Sequence, residues 1–385
     1  MKLSKLFNEF FFSEKTGGLI LLVVTILSLC IANSGIGDTY TAAWNYLFAG
    51  HSLVYWVNDG LMTVFFLLIG LELEREVYHG ELSDLKTASL PILGALGGML
   101  VPAGIFLAFN FGLTSQNGAG IPMATDIAFA VGILSLLGNR VPLSLKVFLT
   151  ALAVIDDLGA ILVIAIFYTS SIAFTNLFIA LGIWALLFSL NRLKVYLLAP
   201  YLLGGIAMWY FMLHSGVHAT ITGVLLAFVI PFGDGSDQTA SSRLQHFLHK
   251  PVAFLILPVF AAANTCIIIG SGWLNGLAAP SSLGIIAGLV IGKPLGIFLF
   301  SFGGVSLGLS SLPEDINWKA LFGAGMLSGI GFTMSIFITL LAFQDIDLIN
   351  ISKMAILIAS LAAGISGYVF LKFSLYKPLD SVTKV

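Results

Sequence analysis

Four charged residues stand in stretches of sequence otherwise built from Leu, Ile, Val, Ala, Phe and Gly. Asp156 and Asp157 lie together in Thr150-Ala-Leu-Ala-Val-Ile-Asp-Asp-Leu-Gly-Ala-Ile-Leu-Val-Ile, Asp126 closes Gly118-Ala-Gly-Ile-Pro-Met-Ala-Thr-Asp, and Lys293 falls in Leu289-Val-Ile-Gly-Lys-Pro. A charge at the centre of a bilayer costs about 2.5 to 3.5 kcal/mol on insertion scales, so it usually persists only where it has work to do. Counted at about 1.5 Å per residue from the nearest polar flank, Asp156 and Asp157 are roughly ten residues beyond Lys146. Asp126 is about ten residues from Gln116 and Lys293 about eleven from Ser282. All four reach one depth, near the midplane.

Adjacent residues on a helix point about 100° apart, so Asp156 and Asp157 cannot face one cavity equally and should differ in role. Two neighbouring carboxylates in a poorly solvated place cannot both ionise easily, which makes the pair a carrier of protons. Carboxylate and carbonyl oxygens also suit a hard cation such as Na⁺. One site can therefore hold either protons or a cation. Lys293 serves as counter-charge to an aspartate or to the ends of interrupted helices, and a purely structural salt bridge is the plain alternative. Thr125 either joins the ion site or bonds back to its own chain. Glu72, Glu74, Arg75, Glu76, His79 and Glu81 form an acidic mouth, either a solvated helix end or a cation-attracting, pH-sensing surface. His218, His246 and His249 titrate in the range of a pH switch.

The elements that must position these groups follow from composition. Of 385 residues 58% are hydrophobic and 9% charged, where a soluble domain carries roughly 25% charged residues. Such a chain cannot build a water-soluble surface. About twelve apolar stretches can each cross the roughly 30 Å hydrocarbon layer, near 11-31, 53-79, 89-110, 117-137, 143-169, 174-191, 195-214, 217-231, 247-268, 283-305, 319-342 and 350-375. The chain is expected to be an all-α polytopic membrane protein, with residues 1-385 forming a single transmembrane domain and no soluble domain. Threading the spans alternately from an inside N-terminus places every Lys and Arg of the 17 except Lys293 and Lys353 at or near the cytoplasmic side. Both termini are then cytoplasmic. The run Gly17 to Ala32, preceded by Glu9 and Glu14, reads as a retained first helix and not as a cleaved leader.

Two spans look broken. One holds Gly118, Gly120 and Pro122 before Asp126; the other holds Gly323, Gly325, Ser328, Gly329, Gly331, Thr333 and Ser335. Interrupted segments in the two halves of a transporter point to discontinuous helices that bind ions at the midplane. Gly284, Gly288, Gly292 and Gly296, at four-residue spacing, give one helix a face for close packing and hold Lys293 on it. Cys30 and Cys266 have no metal-ligand or redox spacing. No phosphate-binding Walker loop and no nucleic-acid footprint are found, and no cofactor is called for.

The chain closely resembles the NhaA family of bacterial Na⁺/H⁺ antiporters. The matching stretches are Phe65-Phe-Leu-Leu-Ile-Gly-Leu-Glu-Leu-Glu-Arg-Glu, Ile121-Pro-Met-Ala-Thr-Asp-Ile-Ala-Phe-Ala, Ala153-Val-Ile-Asp-Asp-Leu-Gly-Ala-Ile, His214-Ser-Gly-Val-His-Ala-Thr, Gly292-Lys-Pro-Leu-Gly-Ile and Gly329-Ile-Gly-Phe-Thr-Met-Ser-Ile-Phe. They are collinear over nearly the whole chain. The resemblance implies a secondary active transporter of the inner membrane, not an enzyme. It implies twelve helices in inverted repeats, with two discontinuous helices crossing at the midplane, and electrogenic, pH-regulated exchange of Na⁺ or Li⁺ for H⁺. Asp157 and Asp156 match the Na⁺/Li⁺-binding pair, Asp126 and Lys293 the residues that balance the broken-helix dipoles, and Thr125 their neighbour. Glu72, Arg75, Glu76, Asp59, His218, His246 and Gly331 match or adjoin positions of the pH response. A homodimer in the lipid bilayer is also implied. Two departures stand out: Arg243-Leu-Gln-His carries Gln245 where better-known members have an acid, and the connection from Gly35 to Val54 looks shorter than the one that forms the family's outer β-hairpin.

Three other functions use similar parts. An intramembrane aspartyl protease would need its two aspartates on different helices in YD and GxGD contexts, which are missing here. A proton-coupled carrier of organic solutes would need a larger pocket. A passive cation channel is disfavoured by a midplane lysine and the lack of a filter-like carbonyl repeat.

Overall fold

The computed structural model describes residues 2–169, 172–233, 239–270 and 273–375; Lys377 and Lys384, counted in the charge bias, lie outside them. In lipid every backbone N–H and C=O must find a partner inside the protein, so apolar stretches wind into helices. They do so in the expected order: α1 (Lys2–Ala32), α2 (Leu53–His79), α3 (Leu85–Asn110), α4 (Ile127–Leu136), α5 (Leu143–Phe167), α6 (Phe174–Arg192) and α7 (Leu198–Leu213) come first. Then follow α8 (Ile221–Ala227), α9 (Ala240–Asn264), α10 (Pro280–Ser306), α11 (Trp318–Ser328), α12 (Phe332–Ala342) and α13 (Ile346–Ser374). The chain is a multi-pass helical membrane protein.

Seven helices are long and apolar enough to cross a membrane alone, and ten spans result if each of three bent helix pairs counts as one. Each of the twelve apolar stretches has its helix, but two are short. α7 has 16 residues and α8 only 7, a rise of about 10 Å. The cause is local: Gly216, in the left-handed region at φ 85°, precedes α8, and Pro231 follows it. The connection after α1 contains a helix, Gly37–Trp44, and then a minimal hairpin, β1 (Leu47–Phe48) paired antiparallel with β2 (His51–Ser52). Ala49 and Gly50 turn it with positive φ, the geometry that matches strand twist in a two-residue loop.

Both broken spans are broken. A 3₁₀ leg, Thr114–Met123, bends by 42° into α4 across an extended Ala124-Thr125-Asp126, and α11 bends by 47° into α12 across Gly329-Ile330-Gly331. The two interruptions meet, since the Asp126 amide donates to the Ile330 carbonyl at 2.7 Å. Three spans that surround this crossing each contain a wider π turn, Trp56–Leu61 in α2, Val252–Ile256 in α9 and Gly288–Gly292 in α10, a local form often found at functional sites.

The glycine face of α10 packs on α3. A Cβ at Gly296 would sit 2.1 Å from the Gly97 carbonyl oxygen, and one at Gly292 3.0 Å from Cα of Pro102. These are backbone contacts that no rotamer change can relieve. We predict that Gly296→Ala lowers the thermal unfolding temperature of the detergent-solubilised protein, with an overpacking cost of about 1 to 3 kcal/mol. An unchanged unfolding temperature would show that α3 and α10 are not held at this distance.

Candidate functional site

The crossing leaves helix ends facing one another inside the protein, and each end finds a side chain. Asp126 caps two helix starts at once. Its Oδ1 accepts the Phe129 amide of α4 at 3.2 Å, while its Oδ2 accepts the Thr333 amide at 3.0 Å and the Thr333 hydroxyl at 2.5 Å, both from α12. A carboxylate at two helix N-termini answers both sets of unpaired N–H groups and both positive dipole ends. The opposite ends receive donors. Lys293 Nζ donates to the Met123 carbonyl at the end of the 3₁₀ leg, Ser335 Oγ donates to the Ile121 carbonyl at 2.7 Å, and Thr125 Oγ1 lies 3.0 Å from the Ser328 carbonyl that ends α11.

α5 brings the aspartate pair to this crossing, and the two residues meet different surroundings. Asp156 Oδ2 is 2.8 Å from Lys293 Nζ, with both side chains wholly buried, and 2.7 Å from Thr125 Oγ1. Its Oδ1 has no hydrogen-bond partner among the described residues, and the same holds for both oxygens of Asp157. Asp157 is 1% exposed. It lines a cleft of about 50 Å³ together with Thr125, Asp126 and Thr333, and with Phe65, Leu68 and Ile69 of α2. At the cleft's other end stand Glu72 of α2 and His249 of α9, whose Oε1 and Nδ1 are 4.0 Å apart. Carboxylate and hydroxyl oxygens around a water-sized space form a donor set suited to a hard monovalent cation or to protons. The roughly 100° between neighbouring residues thus separates an ion-paired aspartate from a cleft-facing one.

Asp126, Asp156, Asp157, Thr125 and Lys293 therefore come together in one layer. Gly331, immediately before α12, belongs to the second break; a Cβ there would lie 2.1 Å from Ser335 Oγ. Arg75 and Glu76 follow Glu72 on α2 and do not line the cleft. Asp59 sits towards the other end of α2, about 20 Å of helix from Glu72. His218 is held by the Tyr168 carbonyl at 2.9 Å beyond the end of α5, and His246 is exposed with Nδ1 2.8 Å from the Ser242 carbonyl of its own helix. Of the two histidines on this helix, His249 faces the cleft. Thr333, noted in the sequence only as a polar residue near a break, proves to be the main partner of Asp126. Glu74 is 4% exposed and accepts from Ser241 at 3.2 Å, which ties α2 to the first turn of α9.

Residues 8–371 match the family described as Na⁺/H⁺ antiporter 1. The chain belongs to this family. It is 68% identical over 375 residues to Na⁺/H⁺ antiporter NhaA 1 of Flavobacterium johnsoniae, covering 97% of this chain and 98% of that one. It is 66% identical to Na⁺/H⁺ antiporter NhaA of Flavobacterium psychrophilum, with the same coverage, and 62% identical to the NhaA of Cytophaga hutchinsonii over 99% of this chain and 98% of that one. Among solved structures, the sodium proton antiporter MjNhaP1 from Methanocaldococcus jannaschii superposes with a TM-score of 0.57 at 16% identity, covering 98% of this chain and 100% of that one, a likeness of fold. The family is one of transporters, and the antiporter fold houses the buried aspartate layer.

Removing one partner of a buried ion pair leaves an uncompensated charge, a loss of about 3 to 5 kcal/mol when the pair is dry. Lys293→Ala should therefore lower the unfolding temperature markedly, and adding Asp156→Asn to it should restore part of the loss. A single variant as stable as the parent would mean that the Lys293–Asp156 pair does not hold the crossing together.

Proposed function

We propose that the protein expels Na⁺, or Li⁺, across the bacterial inner membrane in exchange for protons, using Asp157 and Asp156 at a midplane site that opens to one side at a time. The observation that carries this reading is the contrast within the aspartate pair: Asp156 is held by Lys293, while the buried Asp157 carboxylate meets no donor among the described residues and lines the cleft. A cleft of about 50 Å³ has room for an ion and a few waters, which favours a small cation over an organic solute.

In this mechanism the site holds either two protons, one on the Asp157 carboxyl and one on the Lys293 ammonium paired with Asp156, or a cation between the two carboxylates, never both. A cation entering past Glu72 and His249 binds the Asp157 carboxylate with help from Thr125, whose hydroxyl already touches Asp156. As Asp156 is drawn to the cation, Lys293 loosens its hold, and the protons of the site leave by the cleft. Asp126 keeps its place as the cap of α4 and α12 throughout, so the halves of the broken helices remain joined while α5 changes partners. Exchange of two protons for one monovalent ion moves net charge, and a membrane potential negative inside then drives Na⁺ out and protons in. Glu72, Arg75, Glu76 and His249 at the cytoplasmic mouth, with His218, His246, Asp59 and Gly331, set the pH response. Both termini are cytoplasmic in this orientation, and the functional unit in the lipid bilayer is a homodimer.

Purified protein in liposomes with an imposed pH gradient tests this. Addition of Na⁺ or Li⁺ should collapse the gradient, and K⁺ or choline should not. Asp157→Asn should reduce the response to that of empty liposomes while the protein stays folded and inserted, and Asp156→Asn should exchange slowly yet still bind cation. Normal exchange by Asp157→Asn would remove the site from the mechanism, and equal, total loss of cation binding in both variants would show that the two aspartates do not have separate roles.

A further inference from the structure

The cleft beside Asp157 is lined by Phe65 of α2 and Leu257 of α9. Beyond it, on the side away from Glu72, the side chains of Phe66 (α2), Phe337 (α12) and Phe260 (α9) close together, with ring centroids 5.3 Å apart for Phe66–Phe337 and 6.4 Å for Phe260–Phe337, all three buried. One layer further out, a side-chain hydrogen bond joins α2 and α9, the Asn264 Nδ2 donating to Asn58 Oδ1 at 2.8 Å. Asn58 is seven residues before Phe65 and Asn264 seven after Leu257, so each stands about 10 Å, two helical turns, past the residues with which its own helix lines the cleft. The pair thus lies on the continuation of the cleft between the same two helices.

Three features distinguish this contact from ordinary helix packing. Two amides that merely pack can exchange two hydrogen bonds. Here Asn264 gives its second donor to the Phe260 carbonyl of its own helix at 3.0 Å, and its buried Oδ1 has no partner among the described residues. An amide oxygen buried without a donor is costly. Asn58 lies in the π turn Trp56–Leu61, and α9 ends at Asn264, so both residues sit where a helix can change its path with few other bonds to break.

We propose that Asn58 and Asn264 form the second gate of the transport path and that, when the two part, their amide oxygens receive the monovalent cation released from Asp157. Asn58 Oδ1, freed from its donor, and Asn264 Oδ1 then present two uncharged oxygens, a set that binds a hard cation weakly enough for release. The inference rests on the exchange reading above, because a site open to one side at a time needs a closure on each side. In the present conformation the clasp is shut.

The test uses Asn58→Cys with Asn264→Cys in a Cys30→Ser, Cys266→Ser background, reconstituted in liposomes and treated with a short bis-thiosulfonate cross-linker that reductant removes. The cross-linked protein should lose Na⁺/H⁺ exchange, recover it on reduction, and still bind Na⁺ from the Glu72 side. Exchange at the same rate before and after reduction would overturn the gate. Should the reduced variant itself be inactive, Asn58→Ala decides: the apparent KM for Na⁺ should rise severalfold when Na⁺ is presented on the Asn58 side and stay constant on the Glu72 side. Equal KM changes on the two sides, or none, would overturn the cation site. If the parent protein fails to exchange Na⁺ for protons, the fault lies in the exchange reading and not in the gate.

Discussion

Two helices interrupted inside a membrane must find partners for the backbone groups that they leave bare, and this constraint organises the molecule. Water cannot supply those partners in the bilayer core, where each unsatisfied N–H or C=O costs several kcal/mol. The crossing meets the need reciprocally. Asp126 serves the starts of α4 and α12, while Lys293, Ser335 and Thr125 approach the carbonyls where the preceding legs end. Each charged residue there answers a helix end of opposite polarity. Lys293 reaches its place because the glycine face of α10 lets that helix lie directly against α3.

The same arrangement accounts for the division between the aspartates. Lys293 and Thr125 both approach Oδ2 of Asp156, so that residue belongs to the scaffold as well as to the site. Asp157, one step around α5, has no such tie and lines the cleft. A site in which one carboxylate is shared with the scaffold can report its occupancy to the broken helices, because anything that draws Asp156 away from Lys293 disturbs the cap on Met123. In the proposed exchange this would carry a small local change at the ion site to the broken helices.

The meeting of Asp126, Asp156, Asp157 and Lys293 in one buried layer was legible from the sequence because a charge in an apolar run is rare and its distance from the flanks is a simple count. The broken spans and the glycine face were legible for similar reasons, since Gly, Pro and polar residues interrupt a pattern otherwise uniform. Pairings across the fold were not. Asp126 meets Thr333 across 207 positions of sequence, and nothing local to either residue encodes that meeting. Helix phase was lost as well: His246 and His249 are separated by less than one turn, and only the packing of α9, with its π turn at Val252–Ile256, decides that His249 faces Glu72. The hydropathy of 217-231 suggested a full span, yet Gly216 and Pro231 confine the helix to α8. The buried Glu74 was hidden among the acids of a helix end, where solvation is the ordinary expectation.

In the proposed exchange, protons and Na⁺ compete for one buried site, formed by Asp157 and the Lys293–Asp156 pair. Calorimetry of Na⁺ binding at several pH values, in buffers of different protonation enthalpy, measures this directly. If one proton leaves for each Na⁺ bound, the apparent Kd should rise about tenfold for each unit fall in pH below the relevant pKa, and about a hundredfold if two leave. The binding heat should vary with the buffer in proportion. An affinity independent of pH, with no proton released to the buffer, would contradict competition and require separate paths for the ion and the proton.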